Sequence, residues 1–182
     1  MAPPTRRRRP PSRRPHTLSI LILRSAFCVQ SPETQFFQLF AGWAGPGFRS
    51  ASYDPAVVRD YGKLGKPPQN TINGAGEIFA AALIRFNEFL GAKLGDPQKG
   101  HCIGWRAVVE SLRLIEANPH FLQGRDALLG GIDELEQGAL IDGPEAAAAR
   151  AAAREAFARY GMGKNAKSPN ASFKGTVGDT TI

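Results

Sequence analysis

Three stretches that no helix runs through easily, Gly95-Asp96-Pro97, Asn118-Pro119 and Asp142-Gly143-Pro144, punctuate the chain between Gly74 and Gly161. Proline lacks the amide proton an internal helical turn needs, and glycine and asparagine suit helix ends, so each stretch marks a boundary. Between the boundaries apolar residues recur at helical spacing. The first segment reads as a helix from about Gly76 to Leu94, with Phe79, Leu83, Phe86, Leu90 and Leu94 three and four residues apart and Ile78 and Phe89 widening the stripe. The second spans about Cys102 to Ala117, with Trp105, Val108, Val109, Leu112 and Ile115 on one apolar face and Arg106, Glu110 and Arg113 elsewhere. The third is expected to take Asn118 as its cap and Pro119 as its first position. It carries Phe121, Leu122, Leu128, Leu129, Ile132 and Leu135, and Gly130-Gly131 in its middle implies a bend or a close helix contact. Asp142-Gly143-Pro144-Glu145 opens the fourth, whose run from Ala146 to Arg159 is a strong helix former, and Gly161 stops it. Residues 74–161 therefore predict a mainly α fold, a small helical bundle.

The rest of the chain has a different texture. Residues 29–73 are loop-rich, broken by Pro32, Pro46, Pro55, Pro67 and Pro68 and five glycines, with one aromatic patch from Phe36 to Phe40 plus Trp43 that reads as a capping hydrophobic turn. Residues 162–182 are polar and read as an irregular tail, ordered where it docks. Residues 1–28 form a basic leader, read as a disordered arm or a degenerate signal. Arg6 to Arg9, Arg13, Arg14 and Arg24 account for seven of the chain's 23 basic residues, which leaves 16 against 16 acidic ones. The net charge of +7 thus belongs to the leader, and a neutral body offers no net field to hold a phosphate backbone. Basic residues followed by Leu18 to Leu23 resemble a secretory signal, although the apolar stretch is short, Arg24 interrupts it and no clear cleavage site follows. No run reaches the about 18 apolar residues of a membrane-spanning helix.

Residues suited to catalysis are sparse. The histidines are His16, His101 and His120, and none opens a His-Glu-x-x-His pair, so the zinc site of that motif is absent from these 182 residues. Two cysteines, Cys28 and Cys102, allow at most one internal disulfide. His101 beside Cys102 would need two further ligands from afar to hold a metal. There is no Gly-x-Ser-x-Gly elbow, and Gly74-Ala75-Gly76 lacks the strand and third glycine of a dinucleotide loop. Glu77, near the expected start of the first helix, either complements the helix dipole or faces a cleft. Arg125 and Asp126 are either a solvated pair or an internal clamp. Asn170-Ala171-Ser172 fits the N-glycosylation sequon, a three-residue pattern that chance alone produces often.

Several of these landmarks stand in an order that resembles a known family. Ile72-Asn73-Gly74-Ala75-Gly76-Glu77-Ile78-Phe79-Ala80 is similar to the Val-His-x-x-Gly-Glu-Val-Trp-Ala segment of fungalysin-type zinc metallopeptidases. Val108 to Leu114, Asn118-Pro119-His120-Phe121, Arg125-Asp126-Ala127-Leu128 and Ala156 to Gly163 follow, resembling that family's helix ending in Asn-Pro-x-Phe, its Ala-Arg-Asp-Ala helix and its Ala-Phe-Ala-x-Arg-Gly-Met-Gly turn. The resemblance covers about residues 53–178. It implies a secreted endopeptidase with a thermolysin-like arrangement, one zinc held by His-Glu-x-x-His and a later glutamate, the motif glutamate acting as general base.

The part resembled is the helical C-terminal subdomain, beyond the residues that would hold zinc. The resemblance therefore implies a truncated or degenerate member, inactive as a lone chain, with no cofactor of its own although zinc belongs to the full-length family. Asn73 stands at the family's transition-state histidine. An asparagine still donates a hydrogen bond but cannot become a cation, which weakens oxyanion stabilisation. Glu77 is expected to support the cleft from behind rather than to bind metal. Ala117 and Ala151 stand where many fungalysins carry cysteines. The expected partners are a missing catalytic half or a protein substrate, and the expected location is extracellular, otherwise cytoplasmic. A different class of reading stays open: a non-catalytic helical interaction module whose Arg-rich arm binds nucleic acid or anionic membrane.

Overall fold

The computed structural model describes residues 60–67, 69, 72–172 and 174–182. The leader, Cys28 and the aromatic patch between Phe36 and Trp43 lie outside the described residues. A single 3-10 turn, Tyr61–Lys63, precedes four helices: α1 (Ile72–Leu94), α2 (Pro97–Leu114), α3 (Phe121–Gln137) and α4 (Gly143–Arg159). The described residues are thus mainly α. α1 packs on α2 and α4, and α3 packs on α2 and α4, which closes the four into a ring.

Caps fix where the helices begin. Asp96 Oδ1 accepts from the amide of Lys99 at 3.0 Å, with Pro97 in the first turn. At α4, Asp142 Oδ1 accepts from the amide of Glu145 and Glu145 Oε2 accepts from the amide of Asp142, both at 2.8 Å. This reciprocal pairing satisfies two amides that have no partner inside the helix. α3 corrects the expectation of an Asn118 cap. His120 is the cap instead: its Nδ1 accepts from the amide of Gln123 at 3.2 Å while Gln123 Oε1 accepts from the amide of His120 at 2.9 Å. A cap residue takes an extended backbone, as His120 does at φ −87° and ψ 166°, whereas Asn118 takes the left-handed conformation at φ 56° that asparagine tolerates.

The core is built from Ile78, Ala82, Phe86 and Leu90 of α1, Leu128, Ile132 and Leu135 of α3, and Phe157 of α4, all fully buried. Phe79 stacks on Phe121 at 5.8 Å and meets Phe157 edge-on at 5.5 Å. α4 presents Ala146, Ala149, Ala152, Ala153 and Ala156 inward, so small side chains set the distance to its neighbours.

α2 departs most from the sequence expectation. It starts five residues earlier, at Pro97, and its inner face is Gly100, Ile103, Gly104, Ala107 and Ser111. Trp105, Val109 and Leu112, read from the sequence as its apolar face, are exposed. The reason is close backbone packing. A Cβ on Gly100 would lie on the backbone of Gly91 in α1, and one on Gly104 would strike the Asn87 side chain. A Cβ on Gly131 of α3 would stand 2.7 Å from the carbonyl oxygen of Ala107. Larger residues on that face of α2 would force the ring apart, so the bulky residues point outward.

The chain after α4 docks back on the ring. The amide of Gly163 donates to the carbonyl of Asp179 at 2.7 Å, that of Asp179 to Gly161 at 2.8 Å, and Lys167 and Val177 exchange both backbone bonds. These are isolated bridges, Met162 with Asp179 and Lys167 with Val177, and the described residues hold no strand. The amide of Tyr61 donates to the carbonyl of Tyr160 at 2.8 Å, joining the 3-10 turn to the end of α4.

Candidate functional site

The two site residues expected from the sequence sit one turn apart on α1. Asn73 lies in its first turn, with its side chain outside the description, and Glu77 follows four residues later on the same face. α1 begins at Ile72 rather than near Gly76, so Glu77 falls in the second turn and not at the amino end. It is 2% exposed, packed within the ring beside Ile78. A dipole-complementing role at the helix end, one of the two readings of this residue, is therefore excluded by position.

Groups that could ligate a metal are dispersed and structurally engaged. His120 is the α3 cap, and His101 lies edge-on to Trp105 with ring centres 6.0 Å apart. Cys102 is disulfide-bonded and is no free thiolate. Asp133 and Glu136 both receive Arg150 Nη1 at 2.8 Å, which ties α3 to α4, and Glu155 receives Lys93 at 2.8 Å, which ties α4 to α1. Among the described residues no three His, Cys, Asp or Glu side chains come together to hold a metal ion. The zinc that the sequence resemblance implies does not fit the donors described here.

Arg125 is an internal clamp, while its partner Asp126 is exposed. Arg125 Nη1 donates to the carbonyls of Met162 and Gly163, and its Nε donates to Asp126 Oδ1 at 2.8 Å. A cleft of about 370 Å³ opens beside this clamp, lined by Arg125, Leu129, Arg154, Met162, Lys164 and Thr181 among others. Asp179 orders its far wall. Its carboxylate accepts from the amide of Asn165 at 2.8 Å and from the Thr181 hydroxyl at 2.9 Å, and these bonds lower its pKa. Sequence reasoning missed the pairing of Asp179 with Asn165 and of Arg150 with Asp133 and Glu136, which span 14 or 17 residues, and no local pattern signals such pairs.

The family model for fungalysin metallopeptidases (M36) matches residues 36–166. Comparisons with curated proteins and with solved structures return no match.

Proposed function

The chain belongs to the fungalysin metallopeptidase family, and on that premise we propose that it supplies the helical C-terminal subdomain of a thermolysin-like peptidase and has no zinc-dependent peptidase activity by itself. The observation that carries this reading is how the potential ligands of the helical ring are used. His120, Asp96 and Asp142 cap helices, while Asp133, Glu136, Glu145 and Glu155 receive cations from neighbouring helices. No His-Glu-x-x-His occurs in the 182 residues. A general base and a Lewis acid both depend on that motif in the family, so no catalytic step is assigned to this chain.

The roles left to the site residues are subordinate. Asn73, at the position of the family's transition-state histidine, can donate a hydrogen bond but brings no positive charge to an oxyanion. Glu77, buried in the second turn of α1, supports the cleft from behind and acts on no substrate atom. The partner that the reading requires is a metal-bearing half, with which the first turn of α1 would form one wall of a cleft. Secretion accompanies family membership, and no helix among the described residues is long and apolar enough to cross a membrane.

Purified full-length chain tests the proposal directly. Elemental analysis after dialysis against zinc is expected to find far less than one zinc per chain, and casein is expected to remain intact. Tight one-to-one zinc, or casein cleavage that a chelator abolishes, would overturn it.

A further inference from the structure

We propose that Asn170 is an acceptor of N-linked glycan: a modification site on the docked tail, used when the chain enters a secretory pathway. The proposal rests on the export reading above and adds a covalent modification to it. Asn170-Ala171-Ser172 is the chain's one Asn-x-Ser/Thr triplet whose middle residue is not proline. A triplet alone says little, since most such patterns arise by chance. The fold supplies the rest.

All three residues are exposed, outside the helical ring. The turn is also fixed in shape. Asn170 Oδ1 accepts from the amide of Ser172 at 2.8 Å, and the Ser168 hydroxyl donates to the Asn170 carbonyl at 2.8 Å. The side-chain carbonyl is therefore occupied within the turn, while Nδ2 has no acceptor among the described residues. Withdrawing the carbonyl oxygen into a hydrogen bond polarises the amide and favours loss of a proton from Nδ2. The Ser172 oxygen accepts from the amide of Lys174 at 3.3 Å, which leaves its hydroxyl proton available to a transferase. An attached oligosaccharide would extend into solvent, and no residue of the core would have to move.

The step balances with a donor of known class, a lipid-pyrophosphate-linked oligosaccharide, and a membrane transferase. The Nδ2–C1 bond to the first sugar forms and the C1–O bond to pyrophosphate breaks. The electron pair leaves with the lipid pyrophosphate, the Nδ2 proton passes to a base of the transferase, and nothing is oxidised or reduced. The bulky, solubilising product suits a surface turn.

The full chain is expressed in a eukaryotic secretory cell in two forms, one with a cleavable export signal placed ahead of residue 1 and one with its own leader only. Lysate and medium are pooled, digested with an amide-cleaving glycosidase and read by peptide mass. For the signal-bearing form we expect one glycan, released by the enzyme with conversion of Asn170 to aspartate. Asn170→Gln and Ser172→Ala are expected to abolish it and Ser172→Thr to keep it; the serine pair separates loss of the acceptor motif from a folding defect. An unmodified Asn170 in the signal-bearing form overturns the proposal. Glycan on that form but none on the own-leader form upholds it and instead overturns the export reading.

Discussion

Arg125 on α3 holds the turn after α4 through one atom: its Nη1 donates to the carbonyl of Met162 at 3.0 Å and to that of Gly163 at 2.6 Å. Its Nε is engaged by Asp126, so the guanidinium is oriented before it reaches the turn. The two carbonyls belong to the chain just beyond the carboxyl end of α4, where helix carbonyls lack partners and a cation is favoured. Asp179 from the end of the tail bridges back to this same turn, at Gly161, Met162 and Gly163. The clamp therefore couples helix order to tail order.

Removing the clamp should cost more than a surface ion pair. Arg125→Ala leaves two carbonyls short of a charged donor, and hydrogen bonds to charged groups contribute about 1.5 to 3 kcal/mol. The expected loss is about 2 kcal/mol in urea unfolding, with earlier proteolytic cleavage between residues 164 and 182. Arg125→Lys keeps the charge but loses the planar fork, so it should recover only part of the loss. Stability unchanged in Arg125→Ala would show that the tail is held without the clamp.

Adjacent glycines in α3 should respond to alanine with opposite signs. At Gly131 a Cβ would stand 2.7 Å from the Ala107 carbonyl and 3.0 Å from the Ser111 amide, both backbone atoms of α2 that cannot step aside. Gly131→Ala is expected to destabilise by about 1 to 3 kcal/mol through overpacking. At Gly130 the one neighbour among the described residues is the end of the Leu114 side chain at 3.1 Å, and Leu114 is exposed and can swing aside. Gly130→Ala should gain helix propensity, up to about 1 kcal/mol. Thermal melts of the two variants check the sign. Equal shifts would mean that α2 and α3 do not touch backbone to backbone.

The same contrast shows what was legible in the sequence. Apolar periodicity located α1 and α3, because Phe86, Leu90, Ile132 and Leu135 recur at the spacing that burial demands, and the alanine-rich run located α4 through helix propensity. Asp96-Pro97 and Asp142 to Glu145 announced their caps, since those contacts are local. Asn118-Pro119 carries the local marks of a cap and first position, but the left-handed turn at Asn118 moves the helix start on to His120. Gly130-Gly131 announces a close contact, whereas Gly100 and Gly104 carry the same kind of contact in a helix whose large residues Trp105 and Leu112 are exposed. Hydrophobicity scoring ranks large residues as core, whereas backbone-to-backbone packing is carried by residues with almost no side chain. The place of Glu77 in the second turn depends on α1 beginning at Ile72 rather than near Gly76. Arg125 with Met162 and Gly163, 37 and 38 residues apart, lies beyond any local pattern.

The inverted face of α2 can be probed directly. Leu112 is 66% exposed, so Leu112→Ser should change stability by no more than about 0.5 kcal/mol. Ala107, fully buried against α3, has no room for extra methylenes, and Ala107→Leu should cost about 1 to 3 kcal/mol. Chemical denaturation of both variants decides which face is inside. A larger loss for Leu112→Ser than for Ala107→Leu would turn α2 over.

The acid limb of stability should trace in part to Glu145. The Lys99 side chain and then the Asp142 amide hold its carboxylate in the charged form, so its pKa is lowered on folding. A carboxylate with a lowered folded-state pKa binds protons more readily when unfolded. Its contribution is therefore complete above the unfolded value of about 4.3 and is lost as pH falls through the lower folded value. Glu145→Gln removes this titration, keeps an acceptor for the Asp142 amide and loses the link from α4 to Lys99 on α2. Urea midpoints measured from pH 7 down to pH 3 should fall less steeply in Glu145→Gln than in the parent below about pH 4.3, with the parent more stable at pH 7. Asp179, whose pKa is also lowered, continues to titrate in the variant and keeps its slope above zero. Parallel curves for parent and variant would show that the Lys99 pair contributes nothing to acid sensitivity.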